Sequence, residues 1–204
     1  MLTNQNNWDT LYALKKNNPT EDNFHYINRE HHHMNIRFNI NTQKAVETVL
    51  WVIERGESNV YNIMKILFAA DKFHLNKHGR PVTGDRYVAM EFGTVPSWIY
   101  DATKLKESKI GFIKKDMLLE AEPRRKANME LMSESDIEAL EHGFNEYAKL
   151  SFKRVLEKNH KERAWILARE RSPLSEAPDM LFEDMIDEKW LVDDLSEMSQ
   201  FVVI

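Results

Sequence analysis

The chain predicts a mainly α (α+β) fold: a compact multi-helix domain with a small antiparallel β-sheet. Three observations carry this. Apolar residues recur at helical spacing over most of residues 42–78 and 133–168. Strand-like runs are short and lie between residues 87 and 121. Gly and Pro clusters at Gly79-Arg80-Pro81, Thr83-Gly84-Asp85 and Gly93-Thr94-Val95-Pro96 punctuate the pattern as turns.

Residues 1–38 are rich in Asn and His, which favour turns over helix interiors, so they read as an arm with one short helix near Trp8 to Lys15. The folded domain begins near Asn39. Asn41 or Thr42 caps a helix carrying Ala45, Val46, Val49, Leu50 and Ile53, and Gly56 stops it. The longest helix starts at Ser58 and carries Val60, Ile63, Met64, Leu67, Phe68 and Leu75, ending before Gly79. Asp71 lies on that apolar stripe. A buried carboxylate needs partners, so Asp71 is expected to tie the helix to the next turn through Arg80, Arg86 or the amides around Thr83 to Asp85.

Tyr87 to Met90 then reads as a strand, Gly93 to Pro96 as a tight loop, and Ser97 to Leu105 as a short helix opened by Pro96. Brief strands follow near Ile110 to Lys114 and Met117 to Ala121. Ser133 to Asp136 has the form of a capping box, and its helix carries Ile137, Leu140, Phe144, Tyr147 and Ala148. Two further helices, one with Phe152, Val155 and Leu156 and one starting near His160, complete the domain.

Composition narrows the function classes. The chain has no cysteine, which removes disulfides and thiolate metal sites and suits a reducing cytoplasm. The first residues lack a signal-peptide layout, and no apolar run reaches the roughly 20 residues of a membrane helix. A net charge of -5 weighs against a dedicated nucleic-acid binder. That charge is uneven. From Glu170 onward ten acids face two bases, a net of -8, which leaves +3 for the rest. The segment 171–204 therefore reads as an acidic C-terminal extension, an appendage to a core domain at 39–170.

No catalytic constellation assembles, and no cofactor is implied. Asp71, His74 and His78 share a helix face, but they lack the Glu of a metalloprotease helix, and charged groups near a helix end suit its dipole. His31-His32-His33 cannot all face one metal. The helices from Ser133 to Glu170 invite a helix-turn-helix reading, yet Glu162 and Glu170 dilute Lys161, Arg163 and Arg169. The bases from Lys104 to Lys126 are interspersed with acids and read as a solvated surface. In the acidic extension, Met and Trp punctuate the carboxylates, a pattern suited to docking on a basic partner groove or to packing on the protein's own domain.

The stretch from Leu67 to Asp101 as a whole resembles the SocA-like Panacea antitoxin domain, also found in phage-associated proteins. The residues that carry the resemblance are Phe68, Asp71, His74, Leu75, Gly79-Arg80-Pro81, Thr83-Gly84-Asp85, Tyr87, Ala89, Gly93, Val95-Pro96 and Tyr100-Asp101. Thr94 stands where the family usually has Pro, and Phe68 where Tyr is common. Similarity extends from about Asn39 to Arg169.

The resemblance implies the antitoxin of a bacterial or phage-encoded toxin-antitoxin pair, a non-enzymatic cytoplasmic protein whose partner is a cognate protein toxin. Phe68, Asp71, Gly79, Arg80, Pro81, Gly84, Asp85, Tyr87, Gly93, Pro96 and Tyr100 would hold the scaffold. Asp184, Asp187, Trp190, Leu191 and Asp194 are the candidate partner-binding residues, an anionic surface suited to covering a cationic nucleotide- or RNA-binding site. An adaptor delivering a bound protein to a cellular protease, or a repressor of its own operon, is the alternative.

Overall fold

The computed structural model describes residues 36–104, 112–115 and 120–199. The expected arm with its helix and histidines falls almost wholly outside them, as do Phe201 to Ile204. The fold is mainly helical with small antiparallel hairpins.

Helix α1 spans Thr42–Glu54; its cap is Asn41, whose side chain accepts from the Lys44 amide at 3.0 Å. Helix α2, Val60–His78, starts two residues later than expected, because Asn59 caps it, its side chain accepting from the Tyr61 amide. From Val60 to Asp71 every side chain except Tyr61 is buried, so α2 is a central helix covered on all sides. Gly79 ends it with φ 70, its amide bonded to the Leu75 carbonyl.

Strand β1 (Tyr87–Met90) pairs antiparallel with β2 (Gly93–Pro96), in the register Tyr87↔Pro96 to Met90↔Gly93. The expected loop at Gly93 to Pro96 is thus a strand. Its four residues are too few to show alternation, and Gly and Pro hid it. Helix α3, Ser97–Lys104, follows directly. A second hairpin pairs β3 (Phe112–Lys115) with β4 (Glu120–Pro123), their starts two and three residues later than expected. The Ala121 amide bonds the Ser58 carbonyl at 2.7 Å, fastening β4 to the α1–α2 turn.

After a short 3₁₀ turn come α4 (Glu134–Tyr147), α5 (Phe152–Asn159) and α6 (Arg163–Arg171). Both halves of the capping box at Ser133 and Asp136 are formed. Helix α4 packs closely on α2 at Gly143. A Cβ there would sit 2.3 Å from the Ile66 carbonyl oxygen, so only glycine permits this approach.

The C-terminal segment corrects the appendage reading. Residues 178–180 lie along the free edge of β1: the Ala89 amide donates to the Pro178 carbonyl at 2.8 Å, and the Met180 amide to the Tyr87 carbonyl at 3.0 Å. Helices α7 (Phe182–Met185) and α8 (Lys189–Ser199) follow. Met180, Met185, Ile186, Leu191 and Leu195 are buried in one apolar cluster with Phe68, Leu75 and Tyr87. The charge count concealed this, because the buried residues are interspersed with acids, most of which point outward.

Candidate functional site

The turn region is built around Asp71, which is fully buried at the middle of α2. One carboxylate oxygen accepts from the Val82 and Thr83 amides, each at 2.9 Å. The other accepts from the Thr83 hydroxyl at 2.5 Å and the Tyr87 hydroxyl at 3.0 Å. Burial pushes the carboxyl up to about 6, against these four hydrogen bonds, which pull it down. The expected tie is therefore made by amides and hydroxyls. Arg80 and Arg86 turn elsewhere: Arg80 reaches Asp136, and Arg86 pairs with Asp179 at 3.3 Å.

Gly84 (φ 71) follows, where a Cβ would stand 2.6 Å from the Asn39 carbonyl. Asp85 then caps α3 from a distance, accepting from the Trp98 and Ile99 amides at 3.1 and 3.0 Å. Burial raises its carboxyl above the usual range. Phe68 lies edge-on to Tyr87 with centroids 5.4 Å apart, beneath the Asp71 bonds. Pro81 and Pro96 are buried, and Tyr100 is half-buried against the main core. Gly79 packs under α8, its would-be Cβ 3.8 to 3.9 Å from Leu195 and Leu191.

A second polar knot joins α1, α2 and α4. Asp136, fully buried, accepts from Lys44 Nζ at 2.7 Å and Arg80 at 3.3 Å, besides closing the capping box. Burial pushes its carboxyl up, but Lys44 and Ser133 together hold it below the ordinary value. His74 is also buried, with Nδ1 2.6 Å from the Arg80 carbonyl and Nε2 3.0 Å from the Ser135 hydroxyl. Burial lowers its pKa, and the neutral tautomer carrying the proton on Nδ1 satisfies both contacts. Both His74 nitrogens are engaged within the fold. Among the described residues no group of three or more His, Asp or Glu stands where it could hold a metal.

The third knot went unnoticed in the sequence. Lys65, 1% exposed, donates to the Thr94 carbonyl at 2.8 Å and lies over the Tyr61 ring. Burial lowers its ammonium to about 7. Asn159 on α5 accepts from the Thr94 amide at 2.6 Å and donates to the Thr94 hydroxyl at 3.1 Å. Thr94 thus uses its amide, carbonyl and hydroxyl together, which a proline could not. The signal was available: a lysine flanked by Ile63, Met64, Ile66 and Leu67 on a core helix is out of place unless paired.

The partner-binding candidates divide. Leu191 is buried, and Asp184 pairs with Arg171 at 2.6 Å and is 11% exposed. Asp187, Trp190 and Asp194 face solvent, Trp190 at 60%. Of the basic stretch, Arg125 is committed to Glu47 through two bonds of 2.6 and 2.7 Å, which hold that carboxyl below its ordinary range. A groove of about 480 Å³ between α2 and α4 contains Lys72, Phe73, Lys77, His142 and Glu146, but Lys72 and Lys77 are paired with Glu162 and Glu138.

No helix among the described residues is long and apolar enough to cross a membrane. No curated protein and no solved structure matches the chain. The family model of the SocA-like antitoxin Panacea domain matches residues 63–166, a span that takes in Asp71, Asp136, His74, Lys65, Thr94 and Asn159 and ends at Ile166 on α6. With half the chain inside that match, the protein belongs to the SocA-like Panacea antitoxin family.

Proposed function

We propose that this protein is an antitoxin that neutralises a cognate protein toxin by direct binding, without chemistry of its own, and that the outward face of α8 is its docking surface. Family membership supports an antitoxin role. The observation that carries the docking surface is the division of α8 into two faces. Leu191 and Leu195 anchor one face in the core, while Trp190, Asp194 and Met198 line the other at i, i+4 and i+8. An exposed Trp on a helix anchored in the core, with flanking carboxylates, is the composition of a binding hot spot for a basic groove, and its charges would speed encounter. The fitting partner surface is a cationic one, such as a toxin's nucleotide- or RNA-binding site.

Co-expression of the full chain with the product of the adjacent open reading frame tests the reading. Growth should be rescued, and the two proteins should purify together. Growth arrest that persists, with no co-purified product, would sink it. Truncation after Glu170 is a poor probe, since it strips Met180, Met185, Ile186, Leu191 and Leu195 from the core. Point changes on the outer face of α8 are the informative variants.

A further inference from the structure

Going beyond toxin binding, and on the same α8 face, so that the two would compete, we propose that this protein associates with itself head to tail, the aromatic and basic face around Phe152 of one copy seating the outer stripe of α8 of another. Phe92 and Phe152 are 50% and 51% exposed, with ring centroids 5.7 Å apart. Tyr61 adjoins Phe152 at 4.9 Å and donates its hydroxyl to the Phe92 carbonyl. Local structure accounts for neither phenylalanine. Phe92 sits in the two-residue turn between β1 and β2, where small polar residues suit the geometry, and Phe152 is the first residue of α5. Contiguous exposed aromatics of this kind mark contact surfaces.

The flanking charge selects the partner. Between residues 149 and 161 stand Lys149, Lys153, Arg154, Lys158 and Lys161 against one acid, Glu157. Lys153 is paired with Glu157, and Lys158 with Glu146. The side chains of Lys149, Arg154 and Lys161 have no carboxylate partner among the described residues. The α8 stripe is the complement. Trp190 and Met198 are 60% and 56% exposed, and Asp193, Asp194 and Glu197 lie beside them with no cationic partner among the described residues.

Both faces thus carry apolar side chains, three neighbouring aromatic rings on one and Trp190 and Met198 on the other, with opposite charges around each.

Sedimentation velocity on the full chain, with no other protein present, tests the proposal over micromolar to millimolar loading. The expected result is a concentration-dependent oligomer that weakens about tenfold or more as salt rises from about 0.05 to 0.5 M. The pair Lys153→Glu and Arg154→Glu should abolish it, as should the pair Asp193→Lys and Asp194→Lys. All four side chains are exposed, so the fold is spared. An equimolar mixture of the two charge-reversed proteins should restore association, because each supplies the face the other now fits. Phe152→Ser, with unchanged thermal unfolding as the fold control, should weaken it without altering charge. A monomer at every loading, or association indifferent to both reversals, overturns the proposal. The toxin is absent from every arm, so failure here leaves toxin binding standing, and a failed rescue by co-expression leaves self-association standing.

Discussion

Between Asp71 and Tyr100 the two aspartates face inward and are spent on amides and hydroxyls, whereas between Pro178 and Ser199 most carboxylates face outward and apolar side chains do the attaching. Asp71 accepts four hydrogen bonds inside the fold, and buried Asp85 accepts one on each oxygen from the start of α3. The side chains of Asp193, Asp194 and Glu197 accept no such bond among the described residues. The same residue type is therefore scaffold in one region and surface in the other. What decides is whether backbone N–H groups converge on it.

The largest effect expected from this contrast is at Asp71. Asp71→Ala removes the acceptor of two buried amides and two hydroxyls, and each orphaned group costs about 1–3 kcal/mol, enough to unfold a marginal domain. Urea unfolding should show loss of most of the stability, while the same change at Asp194 should leave the midpoint unmoved. Leu191→Ala and Leu195→Ala come next. Each hollows the cluster shared with Phe68 and Tyr87 and should cost about 2–5 kcal/mol. A midpoint like wild type would mean that the C-terminal segment is not seated in the core.

Gly143→Ala sets two effects against each other. Alanine gains about 1 kcal/mol of helix propensity over glycine. Its Cβ would stand 2.3 Å from the Ile66 carbonyl, and parting two packed helices costs about 1–3 kcal/mol or more. Overpacking wins, and thermal unfolding should shift downwards.

Smaller effects come from titration. The Asp71 carboxyl titrates near 3.8 when unfolded and about 6 when folded, so its stabilising contribution is full below 3.8 and is lost as pH rises through 6. Lys65 runs the other way. Its ammonium falls from 10.5 to about 7 on folding, so the unfolded chain binds more protons between those values and stability rises with pH there. Lys65→Met should flatten the alkaline rise in melting temperature, and Asp71→Asn the acidic fall. Slopes that persist in these variants would assign the titrations to other groups.

Much of the scaffold was legible before any coordinates. Helix spacing located α1, α2 and α4, Gly79 and the capping box marked their ends, and Asp71 stood out as a carboxylate on an apolar stripe. Each of these signals is local, acting within a few residues. What escaped was non-local. Strand β2 is too short to alternate, Gly143 is defined by its distance to another helix, and Asn159 matters only because α5 meets β2. For the C-terminal segment the sequence left docking on a partner and packing on its own domain both open, because counting charge over 35 residues averages away the spacing of Met180, Met185, Leu191 and Leu195.

The division between scaffold and surface is tested most directly by calorimetric titration of the cognate toxin into the variant carrying Trp190→Ala and Asp194→Lys. With the variant melting at the wild-type temperature, the dissociation constant should rise about a hundredfold or more, the loss expected of a central aromatic anchor and a reversed charge. An unchanged constant in that folded variant would contradict the assignment of α8 as the recognition face.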